Sequence, residues 1–538
     1  MSASETESDV HKTEIRNGRS IMSDPDITGP KATHENGKDK APAGEKDMVP
    51  AGEKDKDKDT AADKEKGPDT EANGGDDAVA DPNIVGWDGP DDPANPRNWS
   101  KRRKMFNVSL VSLSVFYSNI ATTMFAPGAS KLAEEFGITS TVIMTLAVSI
   151  PSLGASLGPL LFAPLSEVTG RVPIYWASST LYLAMTFGCA FSTNAGMFLF
   201  FRVICGACAA SFMTVGGGTI ADLLPKEERG TATAMFSIGP LLGPVTGPVI
   251  GGFVTGRLGW RWTFYLVLMF AGVVTITAMI TMRETNATEI LTKKAARLRK
   301  ETGNLELRPA NAKNVEVRQL VERALIRPFR ILLFSPIVSL IGLYMGLVFG
   351  LTFLLFATFP SVFEETYGWA VDVSGLAYLG IGVGATIGLG IFAKTSDRLL
   401  RVGGGPERRL PLMIWFGPCV PIGIFIYAWS TEYKVHWIVA IIGTAFIGIG
   451  VMMVTSSSQL YMMDMYGPQG AASALAAATL VRNGYGAFLP LAADPLYKSL
   501  GLGWGNSVLG FIAIAFLPVP ILFYKYGLYL RERFPLKL

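Results

Sequence analysis

From Lys101 onward, long apolar stretches alternate with short charged ones. Twelve stretches approach or exceed 20 residues, at roughly 105–127, 141–164, 172–192, 195–222, 231–256, 260–282, 331–359, 373–393, 410–430, 436–463, 471–493 and 504–526. A helix rising about 1.5 Å per residue needs about 20 residues to cross a hydrocarbon layer ~30 Å thick. The stretches are too long for barrel strands and lack a period of two, so they predict twelve membrane-spanning helices.

Residues 1–100 break this pattern. They hold 24 Asp/Glu, 13 Lys/Arg and only two large aromatics, Trp87 and Trp99. Too polar to offset the entropy of ordering, they predict a disordered tail; Pro-Ala-Gly-Glu-Lys-Asp occurs at 42–47 and again at 50–55. The organisation expected is a tail (1–100), a six-helix bundle (101–282), a charged linker with helix-forming stretches such as Lys293–Glu301 (283–330), a second six-helix bundle (331–526) and a short C-terminal tail (527–538).

Loop charge orients the bundle. On the side of the tail the loops carry 28 Lys/Arg, twelve of them between Arg283 and Arg330, whereas the opposite loops carry five. This asymmetry predicts that both termini face the cytosol, so the sequons at Asn98 and Asn286 are expected to carry no glycan. The acidic opening of the chain does not resemble a cleaved secretory signal. Four cysteines within apolar runs and three histidines, two of them in the tail, argue against a disulfide scaffold or a His-rich metal site. Cys205-x-x-Cys208 lies inside a predicted helix and reads as packing, and Gly388 to Thr395 lacks the second glycine of a phosphate loop. Nothing suggests a nucleic-acid partner, a cofactor or an enzyme's catalytic constellation.

Two patterns stand out within the apolar body. Phe162-Ala163-Pro164-Leu165-Ser166-Glu167 closes the second stretch, and Phe392-Ala393-Lys394-Thr395-Ser396-Asp397 closes the eighth. This trace of duplication predicts parallel repeats around a central cavity. In the fifth stretch, Gly239-Pro240, Gly243-Pro244, Gly247-Pro248 and Gly251-Gly252 keep glycine on one face every four residues. Close helix packing with proline-weakened hydrogen bonding, a packing or hinge element, is the expectation.

These residues, together with Pro164 to Arg171, Arg202-x-x-x-Gly206, Asp222 and Gly259-Trp260-Arg261-Trp262, resemble the major facilitator superfamily over nearly all of residues 95–535. The likeness is greatest to the fungal twelve-helix drug:proton antiporters that export toxins and other secondary metabolites. The resemblance implies an all-α membrane fold of two pseudo-symmetric six-helix bundles, export of an amphipathic organic compound by alternating access, exchange against protons, and residence in the plasma membrane. A monomer in the lipid bilayer is expected. An importer of a small nutrient such as a polyamine, sugar or carboxylate is the alternative.

On this resemblance Glu167, Gly170, Arg171 and Asp397 form gating motifs, and Gly239 to Gly251 with Pro240, Pro244 and Pro248 form an antiporter motif. The gating motif around Glu167 and Arg171 departs from the family at Ala163, Val168 and Val172, where glycine and basic residues are common. Arg202 and Arg482 are cations deep in predicted helices, costly unless partnered, and with Asp222 and Asp464 they are candidates for coupling. No carboxylate sits at the centre of any predicted span, so proton exchange rests on the resemblance. Aromatic, amide and hydroxyl groups at Tyr117, Asn119, Tyr344, Phe353, Phe356, Gln459 and Tyr461 are candidates to line a substrate cavity.

Overall fold

A computed structural model describes residues 83–225, 228–310, 317–401 and 405–533. Three of the helices begin where the sequence supplies a capping Ser or Asn. Ser100 accepts from the Arg103 N–H ahead of α1 (Lys101–Met124). Next come α2 (Thr141–Val168), α3 (Arg171–Ala190), α4 (Ala195–Leu223), capped by Asn194, α5 (Arg229–Leu258) and α6 (Arg261–Thr281). The second half holds α7 (Pro336–Tyr367), opened by Ser335, α8 (Leu379–Arg401), α9 (Pro411–Phe416 continuing as Cys419–Glu432), α10 (Trp437–Gly467), α11 (470–488) and α12 (502–533).

Among the described residues ten helical stretches are long and apolar enough to cross a membrane, and the last of them, Gly470–Arg533, is 64 residues. At 1.5 Å per residue that is about 96 Å, far more than one crossing. Gly501, at φ 74°, breaks the helix between α11 and α12, and Gly467, at φ 59°, separates α10 from α11. With the 20-residue α3 the crossings number twelve, as the apolar pattern predicts.

Burial sorts the helices. In the most apolar window of α7, 78% of the positions are buried inside the protein, against 39% for α6. So α7 is central, and α6 turns Val273, Ile276 and Ile280 outward to lipid. The arginine-bearing ends of the helices (Arg171, Arg229, Arg409) define a basic face; the other face is distal. Near the distal face the halves touch: Thr141 Oγ1 donates to Asp494 at 2.8 Å, Ser149 Oγ donates to the Ala487 carbonyl at 2.8 Å, and α5 packs on 371–375.

Residues 1–82 of the expected tail lie outside the described residues; 83–100 do not follow that expectation. Asp92 accepts the Asp88 and Ala94 N–H groups at 2.9 and 2.8 Å, and Asn98 donates to the Pro90 and Asp92 carbonyls. Ile84–Val85 (β1) pairs in parallel with Arg308–Pro309 (β2) in the linker, whose helix Ala287–Thr302 sends Lys294 to the Gly86 carbonyl at 2.9 Å and to Asp88 at 2.5 Å. Trp99 packs on Val108, Leu223 and Ala232 under the Arg103 guanidinium, 4.1 Å from its ring centroid. Composition predicts disorder here because it registers neither short-range side-chain capping such as that of Asp92 and Asn98 nor anchors that lie hundreds of residues away, such as Lys294 and Arg308.

Candidate functional site

The basic end of α3 is built around Arg171. Its Nε donates to Asp222 at 3.0 Å and its Nη1 to Ser166 Oγ at 2.7 Å, joining α2, α3 and α4. Glu284, just past α6, accepts the Arg171 and Val172 N–H groups at 2.9 and 3.1 Å, supplying a carboxylate where the first turn of α3 has unpaired donors. Asn286, buried, donates to the Glu167 carbonyl at 3.1 Å. Arg171 thus pairs with Asp222, and the Glu167 side chain of the same motif lies at the surface. Gly170, at φ 91°, makes the turn into α3 that an L side chain rarely adopts.

The second half repeats this cluster. Arg409 donates from Nε to Asp464 at 2.8 Å and from Nη1 to Ser396 at 2.8 Å, with its guanidinium buried. Ser166 and Ser396 are the serines of the duplicated hexapeptide, so the duplication seen in sequence is a duplication of an ion-pair site. The side chain of Asp397 lies outside the described residues. Beside the first cluster, Trp87, Asn95 and Arg97 of the pre-helix segment face Ala221, Asp222, Thr285 and Ala287 across a cavity of about 260 Å³.

The glycine face of α5 rests on α1. A Cβ at Gly239 would stand 2.9 Å from the Phe116 nitrogen, at Gly243 2.6 Å from Asn119 Cβ, at Gly247 2.5 Å from Thr123 Oγ1 and at Gly251 1.9 Å from the Met124 carbonyl oxygen. The stripe is a zipper inside the first half, closest at its distal end. Pro240, Pro244 and Pro248 lie within a helix that stays continuous over Arg229–Leu258. Another face of α5 meets the second half, where Val245 packs on Gly382 and Pro248 on Gly375.

Arg202 is buried and satisfied by carbonyls. It donates to Ala121 at 3.2 Å, Thr122 at 3.0 Å and Ala147 at 3.3 Å. Ala121 and Thr122 end α1, where helical acceptors run out, and the regular partner of the Ala147 carbonyl would be residue 151, a proline without N–H. Arg202 thus closes the distal end of α1 and the bend of α2, ringed by Phe125, Phe198 and Phe264 at 5.5–6.0 Å. Arg482 differs. Its Nε donates to Asn483 at 3.3 Å, its guanidinium lies 4.9 Å from the Phe349 ring centroid, and among the described residues it has no carboxylate in salt-bridge range.

Residues 111–490 match the family model described as Major Facilitator Superfamily. The chain belongs to this superfamily. Within it, the chain is 55% identical over 465 residues to the MFS transporter fsa7 of a Fusarium species, covering 86% of this chain and 92% of that one. It is 58% identical over 458 residues to the MFS transporter prlG of a fungal species, covering 84% and 97%, and 51% identical over 463 residues to the trichosetin biosynthesis cluster MFS transporter of Gibberella fujikuroi, covering 86% and 92%. The family and these relatives are transporters, which fits the lack of an enzyme-like constellation in the sequence. A crystal structure of a D-xylose-proton symporter shares the fold, with a TM-score of 0.58 and 17% identity over 77% of this chain and 97% of that one.

The facilitator fold places the predicted cavity residues unequally. Tyr117 is packed among Tyr182, Phe212 and Phe270, inside the first half and toward α3 and α6. Tyr344 stacks on Phe516 of α12 at 5.9 Å, and Tyr461 is fully buried in the second half near Glu407 and Arg531. These three tyrosines are core residues of their own halves, a correction to the cavity expectation: apolar spacing marks a buried face without telling which neighbour buries it. Asn119 faces the α5 stripe, its amide donating to Val115 O at 2.8 Å. Phe353 and Phe356 continue a ladder from Phe349 to Tyr378, and the half-buried Gln459 side chain makes no hydrogen bond among the described residues. Sequence reasoning missed Arg409 and Glu284. Arg171 follows its serine by five residues and Arg409 by thirteen, so a longer loop hides the correspondence.

Proposed function

We propose that this protein exports an amphipathic organic compound, a fungal secondary metabolite, toxin or drug, from the cytosol across the plasma membrane by alternating access in exchange for protons. Both termini and the basic face then lie in the cytosol. The observation that carries this reading is identity of 51–58% along nearly whole chains with fungal MFS transporters, one of them named for a trichosetin biosynthesis cluster.

The geometry supports a gate at the distal side. The distal contacts (Thr141 with Asp494, Ser149 with Ala487, α5 with 371–375) join the halves there. On the basic face the Arg171–Asp222 and Arg409–Asp464 clusters each brace the helices of their own half. Release outward requires the distal contacts to part, and ligand drives this only as far as it binds the two states unequally. Arg482, beside Phe349, meets the acidic or acceptor group of the substrate; the Phe349–Phe353–Phe356 ladder, Asn119 and Gln459 are the further candidates for contact with it. Gly170 makes the basic-face turn into α3, Glu167 and Asp397 act in the gating motifs at the basic ends of α2 and α8, Asp222 and Asp464 carry protons or hold their arginines, and Arg202 keeps α1 and α2 in register. Monomers suffice.

The test is transport by the purified full chain in liposomes with an imposed pH gradient, and retention of the compound in cells lacking the protein. Export driven by the inward proton gradient is the expected result. Uptake of a polyamine, sugar or carboxylate with protons, and no retained metabolite, would replace export with import.

A further inference from the structure

The helix Val317–Phe334 runs directly into α7 and packs against both α2 of the first half and the α10–α11 hairpin of the second. It therefore bridges the halves at the level where α7 enters the bilayer. At 100° per residue, taking Ile326 as zero, Phe329 falls at 300°, Leu333 at 340°, Arg330 at 40°, Phe334 at 80° and Arg327 at 100°. The far side carries Ile331 and Pro328, both buried. The open arc thus carries Phe329, Leu333 and Ile326 along one edge and Arg330 and Arg327 on either side of Phe334 along the other; Ile326, Phe329, Leu333 and Phe334 are 54%, 45%, 77% and 66% exposed.

Such a surface is poorly placed in water and well placed at a membrane boundary, where side chains sink between acyl chains and arginines stay at the headgroups. Continuity with the membrane-spanning α7 fixes the occupant as lipid. The sign of Arg327 and Arg330 selects among lipids, because guanidinium groups bind phosphate-bearing anionic headgroups through paired N–H donors. We propose that this helix is an anionic-lipid site of the basic-face leaflet, holding a phosphatidylserine- or phosphatidylinositol-type headgroup at Arg327 and Arg330. Since the helix touches both halves, a lipid held there biases the rocking between them. The site does not depend on the direction of transport, and a symmetric nanodisc tests it without reference to orientation.

The experiment measures amide hydrogen exchange in the purified full-length protein in phosphatidylcholine nanodiscs with and without phosphatidylserine. Exchange over 325–334 should slow by about thirtyfold when phosphatidylserine is present, the effect of roughly one kcal/mol for each of the two arginines at an anionic surface. Arg327→Gln with Arg330→Gln should lose the slowing, and Arg327→Lys with Arg330→Lys should keep most of it, while α7 exchanges as in the unaltered protein in all cases. Equal exchange in the two nanodiscs, or slowing that survives the glutamine pair, would overturn the proposal. Slowing by inorganic phosphate in pure phosphatidylcholine, to the extent seen with phosphatidylserine, would overturn the assignment to lipid.

Discussion

Arg409 reaches Asp464 at 2.8 Å and Ser396 at 2.8 Å, and Arg171 reaches Asp222 and Ser166 at 3.0 and 2.7 Å, so one three-residue cluster is built twice in the chain. In each, the guanidinium is the more buried partner: the Arg409 and Arg171 side chains are 9% and 14% exposed, their carboxylates 34% and 23%.

Removing the carboxylate takes a charge partner from the buried cation. Asp222→Asn and Asp464→Asn should each cost about 1–3 kcal/mol, below the full penalty for a buried pair because water still reaches the carboxylates. The two clusters lie in different halves, so the double variant should be close to additive. Melting of the detergent-solubilised protein reads this; a double variant no worse than either single one would mean the clusters act as one.

The α1–α5 zipper predicts a sharp positional contrast. At Gly251 an added methyl meets the Met124 carbonyl oxygen at 1.9 Å, whereas at Gly217 it meets nothing within 4 Å. Gly251→Ala should force the helices apart, at about 1–3 kcal/mol or more, and lower the yield of folded transporter. Gly217→Ala should be close to silent. Size-exclusion profiles and thermal midpoints of the two variants decide it.

Two deep arginines should behave oppositely. Arg202→Gln leaves up to three buried carbonyls short of a donor, at about 1–3 kcal/mol for each group left unsatisfied, and should lower stability together with transport. Arg482→Ala removes a cation with no carboxylate partner among the described residues, so folding and surface delivery should be kept while export is lost. Normal efflux by Arg482→Ala would remove it from the substrate site.

The pre-helix segment carries its own acid limit. Two backbone N–H groups, from Asp88 and Ala94, hold the Asp92 carboxyl below its ordinary value of 3.8, and Lys294 adds to this. A depressed carboxyl contributes stability that is present above the unfolded value and is lost as pH falls through the lower folded one. Exchange over 83–100, corrected for the intrinsic pH dependence of amide exchange, should therefore be level from neutrality to about pH 4 and rise only below it, whereas Asp92→Asn should raise it throughout the level range. A rise already at pH 6 would point to another group.

The crossings were legible because twenty consecutive apolar residues have few other uses, and the predicted stretches at 141–164 and 195–222 lie within a few residues of Thr141–Val168 and Ala195–Leu223. Which face of each helix meets lipid, a cavity or its own bundle was not legible, since all three suit apolar and aromatic side chains. Tyr117, Tyr344 and Tyr461 went astray for that reason. Arg202 was recognisable as an expensive cation, but its solution depended on Pro151 freeing a carbonyl on another helix. Glu284 and Arg409 required contacts across loops of unequal length.

The strand pairing of Ile84–Val85 with Arg308–Pro309, fastened by Lys294, turns the opening of the linker into cargo of the first half. In the rocking proposed above, α1, the segment before it and the connecting chain as far as Ala310 swing as one piece. That places the pivot of the motion toward the amphipathic helix ahead of α7, away from the obvious midpoint of the sequence.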